Sequence, residues 1–85
     1  MTERQEDLRD ALRRMYELDV TYLESTDVYG MTVEVFAIHG HANAVRVYGW
    51  TYETNWEIQY LSALHQSCIQ SPVDAVLVVG QRLDL

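Results

Sequence analysis

Ser71-Pro72-Val73-Asp74 constrains the fold of this chain more than any other stretch. It reads as a helix start. Ser71 can accept from a free backbone N–H, Pro72 stands at the first helical position where no N–H is needed, and Asp74 stands where a side chain can cap back. Ala75-Val76-Leu77-Val78-Val79 follows, with the β-branched composition of a buried strand. A strand here extends a sheet, whereas a helix covers one. As a helix, Val76, Val79 and Leu83 align on one side with Ala75 near them. That spacing, with the cap and Pro72, favours helix over residues 72–83.

The chain of 85 residues reads as one domain, residues 1–85. Domains of this size usually gain stability from a disulfide, a metal or a partner subunit. Cys68 is the only cysteine, so no disulfide forms within the chain, and a lone thiol suits a reducing compartment. The start Met1-Thr2-Glu3-Arg4-Gln5-Glu6 has no apolar stretch of the signal-peptide type. The longest apolar run, residues 75–79, is far too short to span a bilayer. The expectation is a soluble, cytoplasmic protein.

A net charge of −7 opposes phosphate backbones and anionic membranes, so neither nucleic acid nor membrane is an expected direct partner. Lysine is absent; four of the six cations, Arg4, Arg9, Arg13 and Arg14, fall in the first predicted helix. Beyond residue 20 only Arg46 and Arg82 face seven acids.

Residues 2–18 carry an amphipathic helix pattern. Leu8, Ala11, Leu12, Met15 and Leu18 form one apolar stripe, Thr2 and Gln5 a capping box, and acids crowd the first turn. Residues 20–23 read either as a short strand or as a helix extension, and Ser25-Thr26-Asp27 as a turn. Alternation predicts strands over residues 29–38, 43–52 and 56–65, with Gly30 as a bulge, His39-Gly40-His41 as a tight connection and Glu53-Thr54-Asn55 as a second hairpin. The expected fold is therefore α+β: an N-terminal helix, a three-stranded antiparallel meander with residues 20–23 as a candidate fourth strand, and a C-terminal helix.

Val33-Glu34-Val35-Phe36, His39-Gly40-His41, Arg46, Tyr48-Gly49-Trp50, Leu64-His65 and Ser71-Pro72-Val73-Asp74-Ala75-Val76 resemble segments of small uncharacterised bacterial proteins from mobile elements and integron gene cassettes. The resemblance covers residues 29–80 and implies an α+β domain with no assigned activity. The chain departs from it at Leu77-Val78-Val79, where such proteins are more polar and alanine-rich.

Candidate chemistry is sparse. His39 and His41, two apart, can converge in a strand, and with His65 offer three imidazoles to Zn²⁺ or Ni²⁺. No cysteine or second carboxylate stands at ligand spacing, so no metal site and no cofactor is expected. His65 and Cys68 have the spacing of a nucleophile and its base on a helix, but they lie in a strand end and loop, where a free thiol is usually an inert hydrophobe. Glu34 and Glu57 on neighbouring strands offer a carboxylate pair, although solvated edge residues look the same. Glycines 30, 40, 49 and 80 are too dispersed for a phosphate loop. No catalytic residue is assigned.

The aromatic set is the unusual feature. Simple alternation puts Phe36, Tyr48, Trp50, Tyr52 and Tyr60 on one sheet face with Ile58 and Leu64 beside them, and pairs Arg46 with Glu34. Ordinary core, an interface and a ligand pocket all fit such a set. Both faces of the predicted sheet are apolar, and two short helices placed on one face would leave the other bare. A homodimer through the sheet follows, with Trp50 and Arg46 as anchors; a helix on each face is the arrangement that needs no partner. The primary functional expectation is a non-enzymatic homo-oligomeric interaction or binding module, in the setting of a mobile-element accessory protein. The alternatives are a domain binding a small apolar ligand in an aromatic pocket, and an acidic inhibitor of a basic nucleic-acid-binding protein. Enzymatic function ranks last.

Overall fold

The computed structural model describes residues 1–83. The order is α1 (Glu3–Tyr16), β1 (Val20–Val28), β2 (Met31–Ile38), β3 (Arg46–Glu53), β4 (Ile58–Leu64) and α2 (Pro72–Leu83). The four strands form one antiparallel meander in chain order.

Both helix starts carry the predicted caps. Gln5 N donates to Thr2 Oγ1 at 3.2 Å and Thr2 N to Gln5 Oε1 at 2.8 Å, closing the capping box of α1. Asp74 N donates to Ser71 Oγ at 3.2 Å, and Gln70 N to Asp74 Oδ2 at 3.1 Å. The cap overrides the β-branched run, and residues 72–83 are helix. α1 stops at Tyr16, sooner than its apolar pattern, because Glu17 turns left-handed at φ 56°. Met15, still within α1, lies outside the core and is 47% exposed.

The first half of the sheet corrects the sequence reading. Ser25-Thr26-Asp27 is not a turn but the middle of β1, a full fourth strand. Polar residues suit it because an edge strand presents alternate side chains to water. The bulge lies not at Gly30 but at Leu23, where the pairing steps from Tyr22↔Phe36 to Glu24↔Val35. One inserted residue reverses the parity of everything beyond it. Val20 and Val28, an even number of residues apart, therefore enter opposite cores.

Gly30 instead closes the β1–β2 hairpin. Val28 pairs with Met31 across the two residues Tyr29 and Gly30, both at positive φ (50° and 81°), as a primed turn demands. Glycine adopts this conformation freely; Tyr29 does not. We expect Tyr29→Asn to stabilise the fold by about 0.5–1 kcal/mol, since Tyr29 is 75% exposed and its ring loses little packing. Urea denaturation checks this, and a destabilised variant would show that the ring packs after all.

Each face of the sheet has its own helix. α1 covers Phe36, Val47, Tyr60 and Leu64 with Leu8 and Leu12, while α2 covers Val33, Val35, Tyr48, Trp50 and Ala63 with Ala75. The arrangement with both helices on one face is overturned: the chain returns to the sheet through Ile69, fully buried on the α2 side. The bare aromatic face that motivated a dimer does not exist. Gly49 allows α1 to approach closely, since a Cβ there would stand 3.2 Å from Leu8 Cδ2.

Candidate functional site: an apolar cleft beneath the second helix

Register decides which aromatic rings meet. β2 and β3 pair as Val35↔Tyr48 and Phe36↔Val47, so Tyr48, Trp50 and Tyr52 project with Val33 and Val35, away from Phe36. β4 joins as Tyr48↔Ala63, Trp50↔Leu61 and Tyr52↔Gln59, which leaves Ile58, Tyr60 and Leu64 on the α1 face. The eight predicted surface residues therefore do not form one patch. Simple alternation fails as a guide because it fixes faces within a strand and leaves the offset between strands open.

What the register builds is a cleft of about 580 Å³ between α2 and the sheet. β3 supplies Trp50 and Tyr52, β4 Leu61 and β2 Met31; α2 supplies Val76, Leu77, Val79, Gly80 and Gln81. Trp50 is 3% exposed and belongs to the core, whereas Tyr52 and Leu77 are 39% and 47% exposed. The cleft exists because α2 brings small side chains to this side: Ala75 is fully buried, and Val76, Val78 and Val79 are half-buried. At Gly80 an added Cβ would meet no atom within 4 Å. The Tyr52 hydroxyl, the Gln81 amide and the Trp50 indole N–H are the polar side-chain groups of the lining, which among the described residues includes no carboxylate, imidazole, guanidinium or thiol. Such a lining can sequester a neutral apolar molecule and offers it a hydrogen bond.

The far end of this face is closed. Tyr48, 2% exposed, shares a 2.8 Å hydrogen bond between its hydroxyl and His65 Nδ1. Burial raises the pKa of its phenol, with Arg46 pulling the opposite way, so the hydroxyl stays protonated at neutral pH. Arg46 is exposed, pairs across the ladder with Ala37, and does not reach Glu34.

Glu34 is buried instead on the α1 face, 5% exposed. Ser25 Oγ donates to its Oε2, Gln5 Nε2 donates to the same oxygen at 3.2 Å, and the Tyr22 hydroxyl donates to Ser25 Oγ at 2.7 Å. The bulge at Leu23 makes this cluster, since it turns Ser25 to the face of Glu34. Glu57 lies exposed in the β3–β4 turn, where its carbonyl accepts from Thr54 N, so the expected carboxylate pair does not form.

The remaining candidates are dispersed. His39 Nε2 bonds Thr21 Oγ1 at 2.8 Å, and His41 Nδ1 accepts from Asn43 N and Ala44 N at 3.0 and 3.1 Å. Among the described residues no three His, Cys, Asp or Glu side chains gather as a metal site. Cys68 is exposed in the turn closed by Gln66 and Ile69. No described helix is long and apolar enough to cross a membrane. No family model, curated protein or solved structure matches the chain. Of the predicted residues, the cleft takes Trp50 and Tyr52. Sequence reasoning missed Met31, Leu61 and the α2 residues, although the apolar excess of Leu77-Val78-Val79 over what one buried helix stripe needs was a signal.

Proposed function

We propose that this protein is a small-molecule-binding module that holds a neutral, apolar ligand in the cleft beneath α2. The observation that carries this reading is the cleft itself: about 580 Å³, within the ordinary range of ligand sites, and lined by Trp50, Tyr52, Leu61, Met31 and three apolar residues of α2. Its aromatic rings and aliphatic side chains suit a neutral, apolar molecule. The mobile-element setting implied by the fragment resemblance concerns where such a module is encoded, and the genes flanking it would test that.

Trp56→Phe leaves Trp50 as the sole indole and removes a ring that is 91% exposed. In that background N-phenyl-1-naphthylamine, a neutral apolar fluorophore, should bind saturably, change Trp50 emission and raise Tm. Gly80→Phe should weaken binding at least tenfold while the fold melts no lower, because a side chain at this position enters open space and glycine is a poor helix former. Absence of saturable binding, or equal affinity in the Gly80→Phe protein, rejects the cleft as a ligand site.

A further inference from the structure

The two edges of the sheet are built differently. β1, at one edge, carries Glu24 and Asp27 and is broken by the bulge at Leu23, devices that discourage another strand from pairing. β4, at the other edge, reads Ile-Gln-Tyr-Leu-Ser-Ala-Leu, with no charge, no proline and an unbroken register against β3. In a chain of net charge −7 this neutral edge is the exception. Among the described residues nothing pairs with its outer side.

The ladder shows which backbone groups are free. Thr54 N donates to Glu57 O and His65 N to Arg46 O, so the residues of β4 that exchange hydrogen bonds with β3 are those in phase with 57 and 65. The backbone groups of Ile58, Tyr60, Ser62 and Leu64 therefore face outward. Beside them runs a groove of about 490 Å³, lined by Gln59, Tyr60 and Leu61 and overhung by Ala11, Arg14 and Met15 of α1. Met15, left half-exposed, also lies 3.7 Å from Ser62 Oγ.

We propose that β4 is a self-pairing edge: two copies of this chain join β4 to β4 antiparallel, across a two-fold axis at Leu61, into one continuous sheet. A second copy is the occupant because the edge is complementary to itself. With Leu61 at the centre, Ile58 faces Leu64 of the second copy and Tyr60 faces Ser62, and these are the residues with outward backbone groups, so each pair can exchange both its hydrogen bonds. No like charges oppose one another within the strands. Leu61 meets its own mate on the α2 side, in the closer, non-hydrogen-bonded kind of pair. An axis perpendicular to the sheet keeps both copies of α1 on the same face. Met15, beside Ser62, then covers the Tyr60 ring of the second copy, a favourable sulfur–aromatic contact. The interface replaces the aromatic face on which the sequence pattern places self-association: Trp50 has no part in it, and Leu61 is the one residue shared by the seam and the cleft lining.

Sedimentation of the full chain at micromolar concentration should give twice the 9.9 kDa chain mass. Ile58→Pro with Gln59→Lys should return it to monomer with an unchanged circular-dichroism spectrum, since Ile58 is 50% exposed and its N–H points outward. In a Cys68→Ser background, Leu61→Cys should crosslink to its own mate under mild oxidation, because directly opposed residues have the Cα separation of a disulfide. Gln59→Cys should not, its mate lying about 13 Å along the seam. A monomer at all concentrations overturns the proposal. So does a dimer that survives Ile58→Pro with Gln59→Lys and gives no crosslink through position 61.

Discussion

Trp50→Ala should cost about 3–5 kcal/mol of stability, enough to unfold much of the population at 37 °C. Trp50 is 3% exposed on the α2 face of β3, where it packs among Val33, Val35, Ala63 and Ile69. Its removal leaves a void that the flanking strands cannot fill without breaking their ladders. A domain of this size has on the order of 5–10 kcal/mol in total, so one ring accounts for a large share. Trp50→Glu should be worse, because it also buries an unpaired carboxylate. The same truncation at Trp56, 91% exposed in the β3–β4 turn, should change stability by less than about 0.5 kcal/mol. Guanidinium denaturation followed by far-UV circular dichroism separates the two. Comparable small losses at both positions would mean that Trp50 is a surface ring, as an interface anchor would be, and not a core residue.

That contrast marks how far the sequence could be read. The helices were legible because their signals are local. Thr2 with Gln5, and Ser71 with Pro72 and Asp74, act within one turn of backbone, and the structure shows each bond in place. The antiparallel order β2-β3-β4 was legible from alternation and short connections. What the sequence did not disclose depends on distances between strands. The bulge at Leu23 has no signature in Tyr22-Leu23-Glu24, yet it turns Ser25 toward Glu34, and the Ser25-Thr26-Asp27 stretch that reads as a turn is strand because it pairs with β2. The offset between β2 and β3 separates Phe36 from Tyr48 and Trp50, and so divides the aromatic set between two cores. The cleft follows from that offset together with the half-buried valines of α2, and no single residue announces it.

Leu12→Ala should cost about 2–5 kcal/mol and lower Tm by roughly 10–30 °C. Leu12 is fully buried and Leu8 is 1% exposed, and these two side chains seat α1 on Phe36, Val47 and Val20. The contact is close-fitting: a Cβ on Gly49 would already stand 3.2 Å from Leu8. Such a core cannot relax inward without drawing the helix down onto the strands, so most of the lost leucine volume remains as cavity. The α2 side should respond differently. Val79 is half-buried beside the cleft, so Val79→Ala enlarges a space that already exists and should cost less than about 1.5 kcal/mol. The sheet is shared by both cores, so losing α1 uncovers Phe36 and Val47 and should melt the whole domain in one transition instead of freeing the helix alone. Calorimetry of the Leu12→Ala protein reads both quantities. A loss under about 1 kcal/mol, or a separate low-temperature transition for α1, would show that the first helix is docked loosely and that β2 and β3 hold together without it.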